Sequence, residues 1–385
     1  MTAAELADRA RETGRLGIDT EFMGEGRYRA LLCLVQVAVP AGDGGSHVEV
    51  LDPLTDSLDP GPLARALADP AVEVVMHAGR QDVALLRRAW ATEVTSIFDT
   101  QVAAGFAGLR AQLGYEPLLR EVLGRRLHKS ASFTKWDARP LSEEQLSYAR
   151  EDVLDLLQLA DALAERLRGR GRLEWAREEC RASLEGVSDV REVDAVFDRL
   201  PRVNSLDGAQ RAVAHALVRW RERTAQEADR PAQSVLADAA LVELAKRRPR
   251  TQERLHQIRG LSDAALHRRG TAILAVIEAA RDDPPIPVEG ERPAAPEPSD
   301  AALIALGEAL VRSRALEAEL AYELIATKAD LQRVVHSLRD PAAGEGVRTL
   351  QGWRRELVGE ELLALLRGEL SLRVGDGGAI AVSGS

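Results

Sequence analysis

Cysteine is scarce in this chain of 385 residues, which has only Cys33 and Cys180. Neither belongs to a CxxC pair or lies near a histidine-rich segment, so the sequence gives no disulfide framework and no cysteine-based zinc site. This scarcity favours a protein that stays in a reducing compartment.

Long apolar runs are also missing. No uninterrupted apolar stretch approaches the length of a membrane span, and the N-terminal segment MTAAELADRARETGR has acidic residues instead of a signal-peptide core. We therefore expect a cytoplasmic protein with no membrane association and no evident obligate protein partner.

An overall positive charge is missing as well. The net charge of −10 argues against a protein that coats nucleic acid through a uniformly basic surface. The sign reverses locally, because residues 206–282 contain 14 Lys and Arg against 10 Asp and Glu. Residues 1–205 contain 26 against 34, and residues 283–385 contain 11 against 17. The middle segment is the one that could bind a phosphate backbone.

The hydrophobic pattern predicts an α/β half followed by helices. Short β-branched segments predict strands at 16–22, 31–39, 47–52, 73–77 and 94–98. Apolar residues at helical spacing predict helices at 60–69, 79–90, 99–107, 115–124 and 142–168, the last opened by a capping box of Ser142 and Gln145. From about residue 206 the strand signal stops, and only amphipathic helices follow.

The chain is longer than one hydrophobic core usually organises. A proline-rich stretch separates two helical parts of similar size, and it has too few apolar side chains to form a core. The predicted units are an α/β domain at 1–205, a helical module at 206–283, a linker at 284–299, a second helical module at 300–372 and a flexible tail at 373–385.

Acidic residues stand at recurring positions in the α/β half. Asp19 and Glu21 alternate in the first strand and therefore project from one sheet face. Asp82 opens the helix that follows the HAG turn, while Tyr148 and Asp152 lie one turn apart on the last helix. Each piece alone is more often structural, yet together they predict four carboxylates and a phenol in one place. Burying such like charges is costly unless cations neutralise them, and oxygen ligands favour Mg²⁺ or Mn²⁺.

These motifs resemble the ribonuclease D family, in the tyrosine subgroup of the DEDD exonuclease superfamily. The segments IDTEF, HAGRQDVALL and YAREDV resemble the three exonuclease motifs, and IFDTQVAA and KSASFTKWDARPLSEEQLSYA are similar to this family in particular. ALVRWRE, KRRPRT and IRGL resemble a first HRDC (helicase and RNase D C-terminal) module, and LQGWRRELVGEELLALL the end of a second one. The loop MGEGRYRALLCL departs from the pattern in lacking a proline after the tyrosine.

The resemblance implies a ribonuclease H-like mixed five-stranded sheet flanked by helices, followed by two small helical modules. It implies 3′→5′ exoribonuclease activity that uses two divalent metal ions, with Asp19, Glu21, Asp82 and Asp152 as metal ligands and Tyr148 positioning the attacking water. The usual family substrate is precursor tRNA with a single-stranded 3′ end. Two alternatives stay open from the residues: a 3′→5′ exodeoxyribonuclease with the same carboxylates, and a non-catalytic RNA-binding scaffold.

Further residues are candidates for contact with nucleic acid. Phe22 could stack on the terminal base or belong to the core. His77 is expected to fix a turn as a neutral hydrogen-bond partner. Asp99 is expected to cap a helix. A basic and aromatic stretch before the last helix of the α/β half suits RNA, or alternatively forms a loop anchored by its tryptophan; it contains Lys129, Lys135, Trp136 and Arg139. In the first helical module we expect a cationic RNA clamp, formed by Lys246, Arg247, Arg248, Arg250 and Arg254.

Overall fold

The structure is a computed structural model of the full chain. It describes residues 1–42, 44–55, 57–127, 135–189, 191–288, 297–375 and 380–384. Lys129 lies outside these residues. Within them, no helix combines the length and the apolar character needed to cross a membrane.

A mixed five-stranded sheet forms the centre of the N-terminal half. Its strands are β1 (Arg15–Met23), β2 (Leu31–Pro40), β3 (Ser46–Leu51), β4 (Glu73–Met76) and β5 (Ile97–Asp99). Their spatial order is β3-β2-β1-β4-β5; the first three strands pair antiparallel, and β1, β4 and β5 run parallel. Residues 32–39 of β2 are all buried, which explains why that segment is almost uniformly apolar. The predicted sheet and its early hairpins are confirmed.

Nine helices of the described N-terminal part surround or follow this sheet. They are α1 (Ala3–Thr13), α2 (Gly61–Leu67), α3 (Arg80–Trp90), α4 (Thr100–Phe106), α5 (Tyr115–Leu123), α6 (Glu143–Leu154), α7 (Leu156–Gly169), α8 (Leu173–Ser183) and α9 (Val193–Asp198). The helices α1, α2 and α3 cover one sheet face, and α4, α5, α7 and part of α8 cover the other.

Two local differences from the sequence prediction concern helices. The helix α1 was not predicted, although Thr2 and Glu5 form a capping box at its start and Gly14 ends it in the left-handed conformation. The single helix predicted at 142–168 is wrong, because it divides at Asp155, whose carboxylate forms an ion pair with Arg125 of the neighbouring segment.

The first helical module contains α10 (Gly208–Glu227), α11 (Ala232–Val235), α12 (Asp238–Arg247), α13 (Gln252–Leu255) and α14 (Asp263–Ala279). Its core also includes Phe197, Leu200 and Val203, which precede the predicted boundary at 205. The chain therefore enters this core about one helix before the hydrophobic pattern changes.

The second helical module repeats the order of the first. It contains α15 (Asp300–Glu317), α16 (Tyr322–Ile325), α17 (Lys328–Ser337), α18 (Gly352–Arg354), a π-helical turn (Arg355–Gly359) and α19 (Glu360–Leu366). Both α16 and α17 begin 90 residues after α11 and α12. A common architecture thus underlies two sequences that show no clear residue-level repetition.

The predicted flexible tail at 373–385 is wrong for the residues that the structure describes. Strands β6 (Leu370–Val374) and β7 (Ile380–Gly384) pair antiparallel. Apolar side chains of this hairpin, including Leu372 and Val382, pack against the core that the second module shares with the N-terminal domain. Burial of these side chains offsets the entropy that a free tail would retain.

Candidate active site

The first strand presents two acidic residues on the sheet face covered by α7. Gly17 lies on this face, and a Cβ atom at Gly17 would lie 3.4 Å from the Leu156 side chain. Because side chains alternate along a strand, Asp19 and Glu21 share the face of Gly17. The register between β1 and β2 shifts between Glu21 and Phe22, a β-bulge of the kind that redirects side chains beside functional sites.

The turn between β4 and α3 positions Asp82. Ala78 has a positive φ of 55°, and Gly79 passes so close to Met76 that an added Cβ atom would lie 2.7 Å from it. The carboxylate of Asp99 accepts hydrogen bonds from the backbone N–H groups of Ala78 (3.0 Å) and Gly79 (2.9 Å), which fix the turn. Asp82 then enters the first turn of α3, where it is buried and accepts a hydrogen bond from Thr20 of β1.

The same Asp99 side chain caps α4, because its Oδ1 also accepts from the N–H groups of Gln101 (2.9 Å) and Val102. The structure thus gives Asp99 the capping position expected from sequence.

Helix α6 carries the remaining two residues. Ser142 and Gln145 form the expected capping box, with hydrogen bonds of 3.2 and 2.8 Å. One turn separates Tyr148 from Asp152, and the phenol and the carboxylate are close enough to affect each other's pKa.

The four carboxyl groups lie close enough to affect one another. Burial raises the pKa of Asp19 well above its ordinary value, and the charges of Asp82, Asp152 and Glu21 raise it further. Burial and the charges of Asp152 and Asp82 raise the pKa of Glu21 to about 8. Burial is also the largest cause of the raised pKa of Asp152, about 7, and of the raised pKa of Asp82. No Lys or Arg of the described chain neutralises this acidic cluster, which we define as Asp19, Glu21, Asp82 and Asp152.

The donor atoms of the acidic cluster fit hard divalent cations. All of them are carboxylate oxygens, the ligands that Mg²⁺ and Mn²⁺ prefer. Among the described residues, no three Asp, Glu, His or Cys side chains surround a common point as a ready-made cage. The charges of Asp82, Asp152 and Glu21 nevertheless contribute to the raised pKa of Asp19, which indicates that these carboxyl groups are neighbours. Cations would remove both the repulsion and the desolvation cost.

Tyr148 is a neutral hydrogen-bond donor in this environment. Burial raises its pKa above the ordinary value of tyrosine, and the charges of Asp152, Glu21 and Asp19 act in the same direction. At neutral pH the hydroxyl therefore keeps its proton and can orient a neighbouring molecule, but it cannot act as a strong base.

Sequence reasoning missed two buried polar groups near the acidic cluster. Tyr115 has a buried hydroxyl without a hydrogen-bond partner in the described chain, and the charges of Asp152 and Asp19 contribute to its raised pKa. Gln36 pairs directly with Asp19 across β1 and β2, and its amide is fully buried without a partner. Gln36 did give a signal, since it is the one polar residue of the apolar segment 31–39, whereas Tyr115 gave none because it merely opens a short helix.

His77 lies beside this site as a neutral imidazole. Burial lowers its pKa, and its ring centre lies 5.4 Å from that of Tyr115. The Thr100 hydroxyl donates to the carbonyl of Met76 (3.1 Å), so it is free to accept from Nδ1 of His77 (2.9 Å). This contact matches the turn-fixing hydrogen bond expected for His77.

Trp136 and Arg139 anchor the segment before α6. Trp136 is 6% exposed within a small core that includes Cys33 and Leu34, so its ring is not open for stacking on a base. Both Nε and Nη2 of Arg139 donate to Asp52 at 2.7 Å, and Nη2 also donates to the carbonyl of Cys33. The structure therefore favours the anchored-loop alternative for both side chains and excludes base stacking by Trp136, while contact of Arg139 with RNA stays a prediction. The Trp136 ring lies 6.0 Å from that of Tyr148, so the anchored loop also packs beside the Tyr148 phenol.

The other candidate contacts do not belong to the acidic cluster. Phe22 is half-buried and packs against the core below α3, which includes Leu85. Lys246 and Arg247 are exposed at the C-terminal end of α12, where Arg247 pairs with Glu243, and Arg248 follows in a left-handed conformation. Their contact with RNA stays a prediction.

The fold and the site together define a class. A mixed sheet that presents two acids from β1, one from the helix after β4 and a Tyr/Asp pair from a later helix is the arrangement of a metal-dependent 3′→5′ exonuclease. Enzymes of this class depend on divalent metal ions.

Comparison with known proteins narrows this class. The profile of the 3′-5′ exonuclease domain matches residues 1–168, and that of the HRDC domain matches residues 210–277. Ribonuclease D of Gluconacetobacter diazotrophicus is 36% identical over 372 residues, which covers 96% of this chain and 92% of that protein. Ribonuclease D of Granulibacter bethesdensis is 36% identical over 378 residues, with the same coverage. The crystal structure of Escherichia coli RNase D, described as an exoribonuclease involved in structured RNA processing, has a TM-score of 0.81 at 27% identity and covers 95% of this chain and 96% of that one.

The chain belongs to the ribonuclease D family and is a 3′→5′ exoribonuclease of that type. The family and the activity expected from the sequence motifs are confirmed.

Proposed function

We propose that this protein shortens RNA from the 3′ end by two-metal-ion hydrolysis and releases 5′-mononucleotides. The acidic cluster carries this proposal, since four partly or fully buried carboxyl groups with raised pKa values need cations to stay ionised at neutral pH. Two ions, Mg²⁺ or Mn²⁺, would be held by Asp19, Glu21, Asp82 and Asp152. Asp19 would be central to this set, because the charges of all three other acids raise its pKa.

The reaction replaces the phosphorus bond to the leaving 3′ oxygen by one to a water oxygen. Divalent ions, when bound, supply positive charge that lowers the pKa of the attacking water and stabilises the leaving oxygen. The protein contributes orientation: Tyr148, one helical turn from Asp152, would place its hydroxyl to align the water. Because the phenol stays neutral, it does not take up the proton of that water.

The proposed substrate is RNA with a single-stranded 3′ end, with precursor tRNA as the physiological form and the cytoplasm as the location. The resemblance to a structured-RNA exoribonuclease over nearly the whole chain supports this choice. The buried free thiols of Cys33 and Cys180 are consistent with a reducing compartment. We propose that the protein acts on this RNA without an obligate protein partner.

One assay tests the proposal. Purified protein is incubated with a 3′-extended tRNA in Mg²⁺ or Mn²⁺, with and without EDTA, and the products are resolved by length. Stepwise shortening with release of 5′-mononucleotides that EDTA abolishes is the expected result. Asp19→Asn serves as the inactive control, and a DNA oligomer of the same sequence tests the choice of polymer. Metal-independent products, or faster degradation of the DNA, would contradict the proposal.

A further inference from the structure

A cleft of about 820 Å³ lies between the N-terminal domain and the first helical module. Phe22 and Gln81 form part of its wall, and they are the chain neighbours of Glu21 and Asp82. The wall of the cleft therefore includes the chain neighbours of two residues of the acidic cluster, although none of the four acids is among the described residues that line it.

Positive charge is concentrated in this cleft, in a chain whose net charge is −10. Three carboxylates line it, namely Asp189, Glu192 and Asp238. Five guanidinium groups line it as well, namely Arg27, Arg29, Arg191, Arg199 and Arg221. The local excess of arginine is opposite in sign to the acidic cluster next to it.

Some of these arginines are engaged within the protein. Arg27 pairs with Asp229 at 2.8 Å, Arg191 pairs with Glu222 at 3.4 Å, and Arg221 pairs with Asp238 at 2.5 Å. These pairs join the loop between β1 and β2, the segment before α9 and the first helical module. They hold the two walls of the cleft in place.

Two arginines are left without a carboxylate partner among the described residues, Arg29 and Arg199. Arg29 belongs to the β1–β2 loop of the N-terminal domain; its guanidinium lies 5.7 Å from the centre of the Tyr28 ring, and its Nε has no acceptor in the described chain. Arg199 follows α9, on the side of the helical module, and is exposed. Unpaired guanidinium donors thus face the cleft from both walls.

We propose that this arginine cleft binds the phosphate backbone of the single-stranded RNA that extends back from the 3′ end. The inference rests on the proposed function, because it takes the acidic cluster as the place where the 3′ end is cleaved. Guanidinium groups match phosphate oxygens in geometry and charge, and Arg29 and Arg199 offer them from the two walls of the cleft. The cleft is lined by residues of β1 and α3, the elements that carry Glu21 and Asp82, and this favours RNA over an acidic peptide as the occupant.

The cleft is distinct from the cationic cluster at the end of α12. Asp238 begins α12 at the wall of the cleft, and the helix rises roughly 1.5 Å per residue over its length to Arg247. Lys246, Arg247 and Arg248 lie at the opposite end of this helix and do not line the cleft.

Binding without hydrolysis tests the inference. The affinity of the protein for a labelled single-stranded oligouridylate is measured by fluorescence anisotropy in EDTA over a series of KCl concentrations. For a single strand each lost phosphate contact reduces the slope of log affinity against log salt by about 0.7, so the double variant Arg29→Gln with Arg199→Gln should lose about 1.4. We expect its affinity to fall roughly tenfold at low salt.

Arg166→Gln is the matched control, because Arg166 is an exposed arginine of α7 that does not line the cleft. The single variant Arg199→Glu is measured in the same assay, and it should fold normally because this side chain is exposed. An unchanged salt slope in both cleft variants would overturn the inference, as would displacement of the RNA by oligoglutamate of equal charge. The proposed function is judged separately, by release of mononucleotides from the wild-type protein.

Discussion

The chemistry of this protein depends on the surroundings of a few residues. Tyr148 and Tyr115 have phenol groups whose pKa is raised by burial and by the acidic cluster. Tyr148 lies one helical turn from Asp152, one of the proposed metal ligands, whereas the buried Tyr115 hydroxyl has no hydrogen-bond partner in the described chain. We therefore expect different roles for these two tyrosines.

Tyr148→Phe should separate orientation from metal binding. The variant keeps all four carboxylates and so should bind Mn²⁺ with unchanged stoichiometry in isothermal titration, while turnover falls about 10²-fold or more because the water is no longer aligned. Tyr115→Phe is the matched control: its hydroxyl has no partner in the described chain, so turnover should change little. Wild-type turnover in Tyr148→Phe would contradict the positioning role.

The stability of the metal-free protein should depend on pH in an unusual direction. Carboxyl groups of an unfolded chain ionise near pH 4, whereas Asp152 ionises at about 7 and Glu21 at about 8 in the folded protein. Between pH 4 and pH 8 the folded state therefore binds more protons than the unfolded state, so the free energy of unfolding decreases as the pH rises.

Thermal melting in EDTA between pH 5 and pH 8 measures this effect. We expect the midpoint to fall across the interval, to fall less in Asp152→Asn, and to recover at pH 8 when Mn²⁺ is added. Parallel curves for the wild type and Asp152→Asn would show that the buried carboxyl group does not destabilise the fold.

At the scale of single elements, a strand end and a helix start are held by one side chain. Asp99 fixes the turn of Ala78 and Gly79 and also caps α4, so the position of Asp82 depends on a residue 17 positions further along the chain. The HAG motif predicts the turn, but only the pairing of β4 with β5 brings Asp99 next to it.

Asp99→Ala should therefore cost stability and activity together. Loss of a helix cap and of the acceptor for two buried N–H groups should lower the free energy of unfolding by about 2–4 kcal/mol, measured in urea. Turnover should fall as well, since Asp82 is displaced. Asp99→Asn retains one acceptor oxygen and should recover part of both losses; a fully stable Asp99→Ala protein would refute the account.

At the scale of the whole molecule, the second helical module forms one core with the N-terminal domain. Trp353 is 1% exposed, stacks on Trp175 at 5.5 Å and meets the edge of Phe106 at 4.9 Å. Beside it, Arg354 donates to Glu179 of α8 at 2.7 Å. The second module is thus joined to the N-terminal domain by packing, although the proline-rich segment connects it in sequence to the first module.

Trp353→Ala should detach this module. Truncating a buried tryptophan costs about 3–5 kcal/mol, so the melting temperature should fall and limited proteolysis should cleave near the linker. Leu316→Ala is the matched control, because Leu316 lies in the same module and is 80% exposed. Equal protease resistance of the two variants would show that Trp353 does not hold the module in place.

The sequence by itself determined the strand and helix alternation, the order of the acidic motifs and the change to helices near residue 206, because hydrophobic period and local capping are encoded in neighbouring residues. Tertiary structure decided what distant residues do: it buried Trp136, engaged Arg139 with Asp52, divided the long helix at Asp155 and paired the last strands. It also formed the arginine cleft, whose walls come from segments more than 150 residues apart. Such contacts depend on packing between separate elements, and no local pattern specifies them.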